Sequence, residues 1–245
     1  MTKILSALTV FVFIFANNCC AKPALILGTF AGPPLSTPEE LGFYDLVLKE
    51  AFNRAGCAIE IIRLPAERSL INANEGITDG DFVRISGLER IYPNLVQVPE
   101  KITDFEFVAF TKHIDIPIKG WESLQPYHVA IVRGWKILEK NIAGTASLIR
   151  VKNQDLLFSL LANNRTDIII YSRHEGYRVI NQNKIKGVAT LEPALAIREM
   201  FLYLNNKHSL LIPVIDKNLK AMKRDGTFDR IKTKTLSYYL QTGEK

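Results

Sequence analysis

Residues 64–85, LPAERSLINANEGITDGDFVRI, decide the fold class because they hold a short helix between two strands. An apolar strand over residues 59–64 stops at Pro65, where the helix begins. Residues 74–80, which contain Asn and two Gly, predict a turn, and residues 82–85 are typical of the next strand. This strand–helix–strand order predicts a parallel sheet in an α/β fold.

The same alternation continues on both sides of this stretch. Further strands are predicted at residues 24–29, 129–132 and 167–171, and further helices at residues 43–55, 135–141, 154–161 and from residue 172 onward. The chain then ends in a helix with an apolar stripe, and Gly226 stops that helix.

Two extended runs, residues 105–111 and 201–204, separate these elements into two groups. We therefore predict a two-lobed α/β protein in which each lobe is a mostly parallel sheet flanked by helices. The two runs are expected to lie side by side as a hinge with two crossings. Lobe one would comprise residues 22–107 and 201–245, and lobe two would comprise residues 108–200.

The N-terminus has the pattern of a secretory signal peptide. Lys3 precedes an apolar run over residues 4–16, and Cys19-Cys20-Ala21 offers small residues for cleavage. Residues 1–21 would direct export to the periplasm and be removed in the mature protein, and no later segment is apolar enough to span a bilayer. Cys57 would then be the single cysteine, so an intramolecular disulfide is not expected.

Composition and motifs exclude several classes of function. The formal net charge is +6, but the basic residues gather around the C-terminal helix without interleaved aromatic residues, so we expect no nucleic-acid partner. The four histidines lack metal-ligand spacing, and the chain has no G-x-S-x-G or phosphate-binding glycine motif. The sequence therefore predicts no catalytic residue, no metal and no cofactor.

Four short segments carry a family resemblance in the right order along the chain. They are GFYDL at residues 42–46, NEGITDG at residues 74–80, NNRTDII at residues 163–169 and NLKAMKRDGTF at residues 218–228. Together they resemble family 3 of the bacterial periplasmic solute-binding proteins, the substrate-binding type of amino acid ABC transporters. The resemblance implies the type II periplasmic-binding-protein fold, which closes two lobes on a ligand by hinge motion.

Candidate ligand contacts lie beyond the carboxyl ends of predicted strands, where open α/β sheets bind ligands. They are Phe30 after the first strand, Glu67, Arg68 and Arg84 near residues 64–85, Arg90 after them, and Trp135 and Tyr171 in lobe two. Alternation would bury Phe82 and Arg84 on one face, and a buried Arg84 needs a partner, either the ligand or Glu67.

The resemblance also implies an Arg that takes the ligand carboxylate, and Arg84 and Arg90 compete for that role. Amino acid binders place an acid after the central strand of lobe two, where this chain has Tyr171-Ser172. They place a small hydroxyl residue where this chain has Trp135. Such a cleft suits an anionic or aromatic ligand that lacks an α-amine. Ser172 and Glu175 match a capping box that opens the following helix.

These observations predict a monomeric periplasmic solute-binding protein. It would capture a small polar, anionic or aromatic ligand for an ABC importer or a membrane sensor. Two alternatives stay open: an exported dehydratase-like enzyme with Glu67 as its acid or base, and a partner-binding module that docks through the basic C-terminal helix.

Overall fold

The computed structural model describes residues 24–133, 135–142 and 144–240, so the predicted signal peptide, residues 1–21, lies outside the described residues. The strands within these ranges are β1 (Leu25–Thr29), β2 (Ile59–Arg63), β3 (Gly80–Arg84), β4 (Leu95–Gln97), β5 (Thr103–Thr111), β6 (His128–Val132), β7 (Ser147–Val151), β8 (Ile168–Ser172) and β9 (Ala189–Asn205). The helices are α1 (Phe43–Asn53), α2 (Ala66–Asn74), α3 (Lys136–Asn141), α4 (Gln154–Ala162), α5 (Arg173–Gln182), α6 (Ile212–Arg224) and α7 (Thr227–Leu240). Among the helices so described, none is both long and apolar enough to cross a membrane.

The strands form two mostly parallel sheets that share the long strand β9. In lobe one, β1 pairs in parallel with β2 and β3, while β3 and β4 pair antiparallel with the C-terminal part of β9. In lobe two, β6 pairs in parallel with β7 and β8, and β5 runs antiparallel between β8 and the N-terminal part of β9. The order along the whole ladder is β2-β1-β3-β9-β5-β8-β6-β7. The predicted two-lobed α/β architecture is confirmed.

The hinge pairing differs in register from the prediction. Residues 103–107 of β5 pair with residues 196–200 of β9, whereas residues 201–204 pair with β3 in lobe one. The expectation that residues 105–111 lie beside residues 201–204 is therefore wrong. The apolar run at 201–204 is buried because it lies inside the lobe-one sheet, between β3 and β4, and not because it crosses between lobes.

Lobe one is built around α1 and α6, which cover one face of its sheet. The predicted stripe of α1 is buried, because Phe43, Val47 and Ala51 pack on Leu27 and Phe82 of the sheet. From α6, the buried residues Ile215, Leu219 and Met222 join the same core. The apolar residues of each helix recur at helical spacing, so they lie on one face of the helix, and that face packs on the sheet.

The C-terminus contains a second helix that the sequence analysis missed. Gly226, with φ +76°, ends the predicted helix α6 as expected, but α7 follows immediately from Thr227. Its sequence, TFDRIKTKTLSYYL, has a weak apolar stripe in which Leu236 is buried. Helix α7 packs against α1 of lobe one and α5 of lobe two, so it spans the junction of the lobes.

Candidate functional site

The strand ends of the two lobes meet at the loop that follows β1. The backbone of Gly32 in this loop lies against the carboxylate of Glu175, in the first turn of α5, and favours its charged form. A Cβ atom placed on Gly32 would lie 4.0 Å from Glu175 Oε1. Because α5 directly follows β8, the carboxyl ends of β1 and β8 face each other across the lobes, as the rule for ligand sites in open sheets requires.

Arg84 lies at the end of β3 and is already paired. Its Nε donates to Asp81 Oδ1 at 2.6 Å, and its Nη2 donates to Asp81 Oδ2 at 3.1 Å and to the Ala66 carbonyl at 2.8 Å. The Phe30 ring covers the guanidinium, with 4.6 Å between Cζ and the ring centroid. Arg84 is 7% exposed. The partner that the sequence analysis required for Arg84 is thus Asp81 and not Glu67.

The electrostatic result is a buried, self-neutralised pair. Asp81 has no exposed surface, and its burial raises the pKa of its carboxyl, while the hydrogen bond and charge of Arg84 oppose that rise. A guanidinium held by a carboxylate in this way has little charge left for a second anion. Lobe one therefore offers an aromatic surface at this point, because Phe30, which covers the Asp81–Arg84 pair, is 42% exposed.

A bulge in β3 explains why Arg84 reaches Asp81. The register with β9 shifts between Phe82 and Arg84, and Val83 has φ +66°, in the left-handed region that a β-branched residue rarely adopts. Phe82 faces Tyr44 in the core, whereas Arg84 turns to the other side of the sheet, toward α2. The prediction that Phe82 and Arg84 share one face is wrong for this reason. Strain of this kind concentrates at functional sites.

The other lobe-one candidates are exposed. Glu67 accepts a hydrogen bond of 2.7 Å from the Tyr92 hydroxyl. Arg68 and Arg90 are exposed, and neither forms a hydrogen bond or ion pair with another residue that the structure describes. The sequence left two arginines as candidates for the ligand carboxylate. Arg84 is paired with Asp81, whereas the guanidinium of Arg90 has no partner among the described residues.

Lobe two contributes an aromatic stack. The rings of Trp135 and Tyr171 lie parallel, with 4.8 Å between centroids and 16° between planes. Phe105 and Phe107 pack edge-to-face with Trp135, with 6.2 and 5.5 Å between the ring centroids. Tyr171 is 7% exposed, and its hydroxyl donates to Gln154 Oε1 at 2.9 Å. Burial raises the pKa of Tyr171 above its ordinary value, with help from the Glu175 charge. Trp135 is the more accessible of the two.

Glu175 is the functional candidate that sequence reasoning missed. Ser172 does occupy the N-cap position of α5, but its hydroxyl does not cap the helix and instead favours the charged form of the Glu175 carboxyl. Burial raises the pKa of Glu175 to about 7, although Arg178 and the hydrogen bonds from Ser172 and Gly32 favour the charged form. The capping-box spacing correctly predicted where α5 begins. It wrongly implied that the Glu175 carboxylate turns back to its own helix, whereas it lies against Gly32.

No metal centre accompanies these residues in the described part of the chain, where no group of His, Cys, Asp and Glu is arranged to hold an ion.

The architecture is the two-lobed type II fold of periplasmic solute-binding proteins. Its solved relatives include the GluR0 ligand-binding core in complex with L-glutamate (TM-score 0.72, 14% identical, covering 88% of this chain and 99% of that one). An ancestral cationic amino acid solute-binding protein gives a TM-score of 0.70 at 17% identity over 87% and 95% of the two chains. A histidine kinase sensor domain with similarity to periplasmic binding proteins gives 0.69 at 16% identity over 88% and 97%. The resemblance found in the sequence is confirmed at the level of fold.

Sequence comparison adds one distant relative. No family model matches the chain. An uncharacterized protein of Shewanella oneidensis is 26% identical over 223 residues, which cover 86% of this chain and 81% of that protein.

Proposed function

We propose that this protein is an exported, periplasmic solute-binding protein that captures a small ligand between its lobes for an ABC importer or a membrane sensor. The observation that carries the proposal is a pair of aromatic side chains, the exposed Phe30 and the half-buried Trp135, which follow strands of opposite lobes. Two flat surfaces at the ends of a hinged pair of lobes suit stacking on a ligand that the lobes enclose. We retain residues 22–107 with 201–245, and residues 108–200, as the proposed lobes.

Arg90 is the proposed contact for an anionic group on the ligand. Arg84 is held by Asp81 and the Ala66 carbonyl, so a ligand carboxylate would have to compete with a buried partner. Arg90 has an unshared guanidinium, which can form a bidentate pair with a carboxylate. Arg84 then acts on the ligand indirectly, because it supports the Phe30 ring from below.

The same residues disfavour an ordinary α-amino acid. Tyr171-Ser172 stand where the resemblance expects an acid, and burial raises the pKa of the nearby Glu175, which lies against Gly32, to about 7. An ammonium group enclosed beside them would lack a fully charged partner, and an unpaired buried charge is costly. We therefore propose an anionic or aromatic solute without an α-amine.

A ligand screen tests this function. Thermal-shift measurements would compare aromatic carboxylates and aliphatic carboxylates with the matched L-amino acids, followed by calorimetry of the hits. In a Trp121→Phe background, Trp135 is the single tryptophan, since the chain contains two. We expect a carboxylate hit to change Trp135 fluorescence. Sub-micromolar binding of a common amino acid would contradict the ligand class, and the absence of any hit together with capture of a protein partner would favour a docking module.

The arginine assignment has its own test. Loss of a charge-assisted hydrogen bond worth about 1.5–3 kcal/mol should weaken binding of the hit about tenfold to a hundredfold in Arg90→Ala. Arg224→Ala is the matched control, because Arg224 is also exposed, forms no side-chain hydrogen bond or ion pair with the described residues, and is not a candidate ligand contact. Both variants should unfold at the wild-type denaturant concentration. Equal affinity in the two variants would remove Arg90 from the site.

A second candidate function is acid–base chemistry on the enclosed solute, and Glu175 is the observation that favours it. A carboxyl with a pKa of about 7 can both donate and accept a proton near neutral pH. Glu67, the acid expected from the sequence, is exposed and bound to Tyr92 instead. Mass spectrometry of a ligand incubated with the protein would reveal turnover, and Glu175→Gln should abolish it. Unchanged ligand after prolonged incubation would leave binding as the function.

A further inference from the structure

The two hinge strands carry an unusual concentration of acidic side chains. Asp104 of β5 and Glu199 of β9 are direct cross-strand partners, a like-charged pair that destabilises a sheet. Lys101 resolves this repulsion, because its Nζ lies 2.8 and 3.0 Å from the two Asp104 oxygens and 3.1 Å from Glu199 Oε1. One cation thus holds both strands at the lobe-one end of the hinge.

A second cation does the same at the lobe-two end. Arg173, the first residue of α5, donates from Nε to Glu106 Oε2 of β5 at 2.6 Å. Its Nη1 and Nη2 form a bidentate pair with Glu192 of β9 at 2.6 and 2.9 Å. Glu192 is further held by the Thr190 hydroxyl at 3.0 Å. Arg173 therefore ties both strands to the helix that also carries Glu175.

Between these two cations lies a short unclamped segment. On β5 it is Phe105, flanked by Asp104 and Glu106, and its cross-strand partner on β9 is Arg198. The Phe105 side chain packs against the cores of both lobes, and its ring meets Trp135 edge-on. A bend at this point must therefore move the ring that supports the proposed ligand stack.

We propose that Lys101 and Arg173 are hinge clamps that confine bending to the Phe105–Arg198 step and so set how often the lobes are closed without ligand. The inference rests on the proposed function, because the equilibrium of the lobes matters for a protein that encloses a solute. A clamp alters apparent affinity without contacting ligand, since affinity scales with the population of the binding-competent state.

The two clamps should differ in strength. The Lys101 side chain is 34% exposed and its partners 39% and 60%, so solvent and salt screen that pair. The Arg173 side chain is 17% exposed and uses three nitrogens, a geometry that a single lysine cannot reproduce. We expect Arg173 to dominate and Lys101 to contribute mainly at low ionic strength.

The test measures lobe separation in ligand-free protein. Spin labels on exposed residues of each lobe, at Ile77→Cys and Lys152→Cys, report the distance distribution by pulsed EPR; the background is Cys57→Ser in the chain from residue 22 onward, which lacks Cys19 and Cys20. We expect Arg173→Ala to broaden the distribution toward longer distances, and Lys101→Ala to do so less and only at low salt. Arg173→Lys should fall between wild type and Arg173→Ala. Distributions identical to wild type in both alanine variants would overturn the proposal.

Matched controls separate a clamp from a general loss of charge. Arg54→Ala and Lys49→Ala remove surface ion pairs of lobe one, with Glu50 and Asp225 and with Glu40, and none of these carboxylates bonds a residue of β5, of β9 or of the segment that precedes β5. Both should leave the distribution unchanged, and a shift as large as that of Arg173→Ala would overturn the assignment. If Arg173→Ala does not fold, Glu192→Gln removes the bidentate charge while keeping the side-chain shape, and no change in that variant also refutes the clamp.

The outcome is independent of the ligand question. A carboxylate hit from the screen should bind roughly threefold to tenfold more weakly to Arg173→Ala, while the Trp135 fluorescence change at saturation stays the same. A changed lobe distribution with no hit would keep the clamps and remove the proposed function. A hit with an unchanged distribution and affinity in Arg173→Ala would keep the function and remove the clamps.

Discussion

The two lobes build their facing strand ends from opposite chemistry. Lobe one uses a buried ion pair, Asp81–Arg84, beneath the Phe30 ring and beside a bulge with Val83 in a left-handed conformation. Lobe two uses stacked rings, Trp135 on Tyr171, with one hydroxyl hydrogen bond to Gln154. The stability of lobe one therefore depends on two charges, neither of which can be removed without leaving the other buried and unpaired. In lobe two, the apolar core instead continues to the cleft.

Stability and ligand specificity therefore depend mainly on different lobes. A buried pair costs free energy when one partner is lost, so Asp81 and Arg84 are bound to each other before any ligand arrives. Trp135 is half-buried and has no buried ionic partner, so its truncation removes packing contacts but leaves no buried charge unpaired. We expect mutations in lobe one to act on folding first and mutations at Trp135 to act on the ligand first.

The largest expected effect is that of Arg84→Ala. It leaves the Asp81 carboxylate buried and unpaired, so we expect a loss of about 3–5 kcal/mol in the free energy of unfolding by urea denaturation. Arg84→Ala with Asp81→Ala should recover part of that loss, since no charge then remains buried. A loss below about 1 kcal/mol for Arg84→Ala would show that water screens the pair, and the contrast between the lobes would fail.

The next effect compares a glycine from each lobe. In lobe two, a Cβ on Gly176 would lie 2.3 Å from Phe110 Cζ, and a ring packed in the core cannot move away. Gly176→Ala should therefore cost about 1–3 kcal/mol of overpacking. In lobe one, a Cβ on Gly28 would lie 2.3 Å from Ser69 Oγ, which can rotate. Gly28→Ala should lower the free energy of unfolding by less than Gly176→Ala does, and adding Ser69→Ala to Gly28→Ala should recover that loss. An equal cost, unaffected by Ser69→Ala, would contradict the distinction.

The smallest effect concerns pH and the first turn of α5. Burial raises the pKa of Glu175 from 4.5 to about 7, so its contribution to stability is full below pH 4.5 and is lost as pH rises through 7. Burial, with Lys232 nearby, lowers the pKa of His174 from 6.5 to about 4, so its contribution is present above pH 6.5 and is lost as pH falls toward 4.

The two contributions oppose each other, and wild type should change little between pH 4.5 and 6.5. Glu175→Gln should lose about 1–2 kcal/mol on acidification across that window, and His174→Gln a similar amount on alkalinisation. Denaturation midpoints measured at intervals of pH would reveal both slopes. Two variants with parallel pH profiles would show that neither group is buried by folding in the way described.

Sequence pattern predicted most of the elements, but not β4, β7, the N-terminal part of β9 or α7, and it predicted their fine geometry poorly. The α1 stripe, the end of α6 at Gly226 and the order of the strands follow from local periodicity and turn residues. The Val83 bulge does not, because it arises from pairing with β9, which lies far along the chain. Side-chain alternation across an unseen bulge then gave Arg84 the wrong face and the wrong partner.

The remaining gaps have the same origin. The capping-box pattern located the start of α5, but local spacing carries no information on whether Glu175 caps its own helix or reaches Gly32 in the other lobe. Helix α7 was missed because its own apolar stripe is weak, and its position depends on packing against α1 and α6 of lobe one and α5 of lobe two. Positions decided by long-range pairing are those that single-sequence reasoning leaves open.

The shared strand β9 also has a consequence for the order in which the chain is made. Its N-terminal part completes the lobe-two sheet, yet its last residues, 201–205, lie between β3 and β4 of lobe one. During synthesis from the N-terminus, one edge of β3 therefore has no hydrogen-bonding partner strand until the whole of lobe two has been made. The lobe begun first is finished last, and a chain cut before residue 201 would contain every strand of lobe two but no complete lobe one.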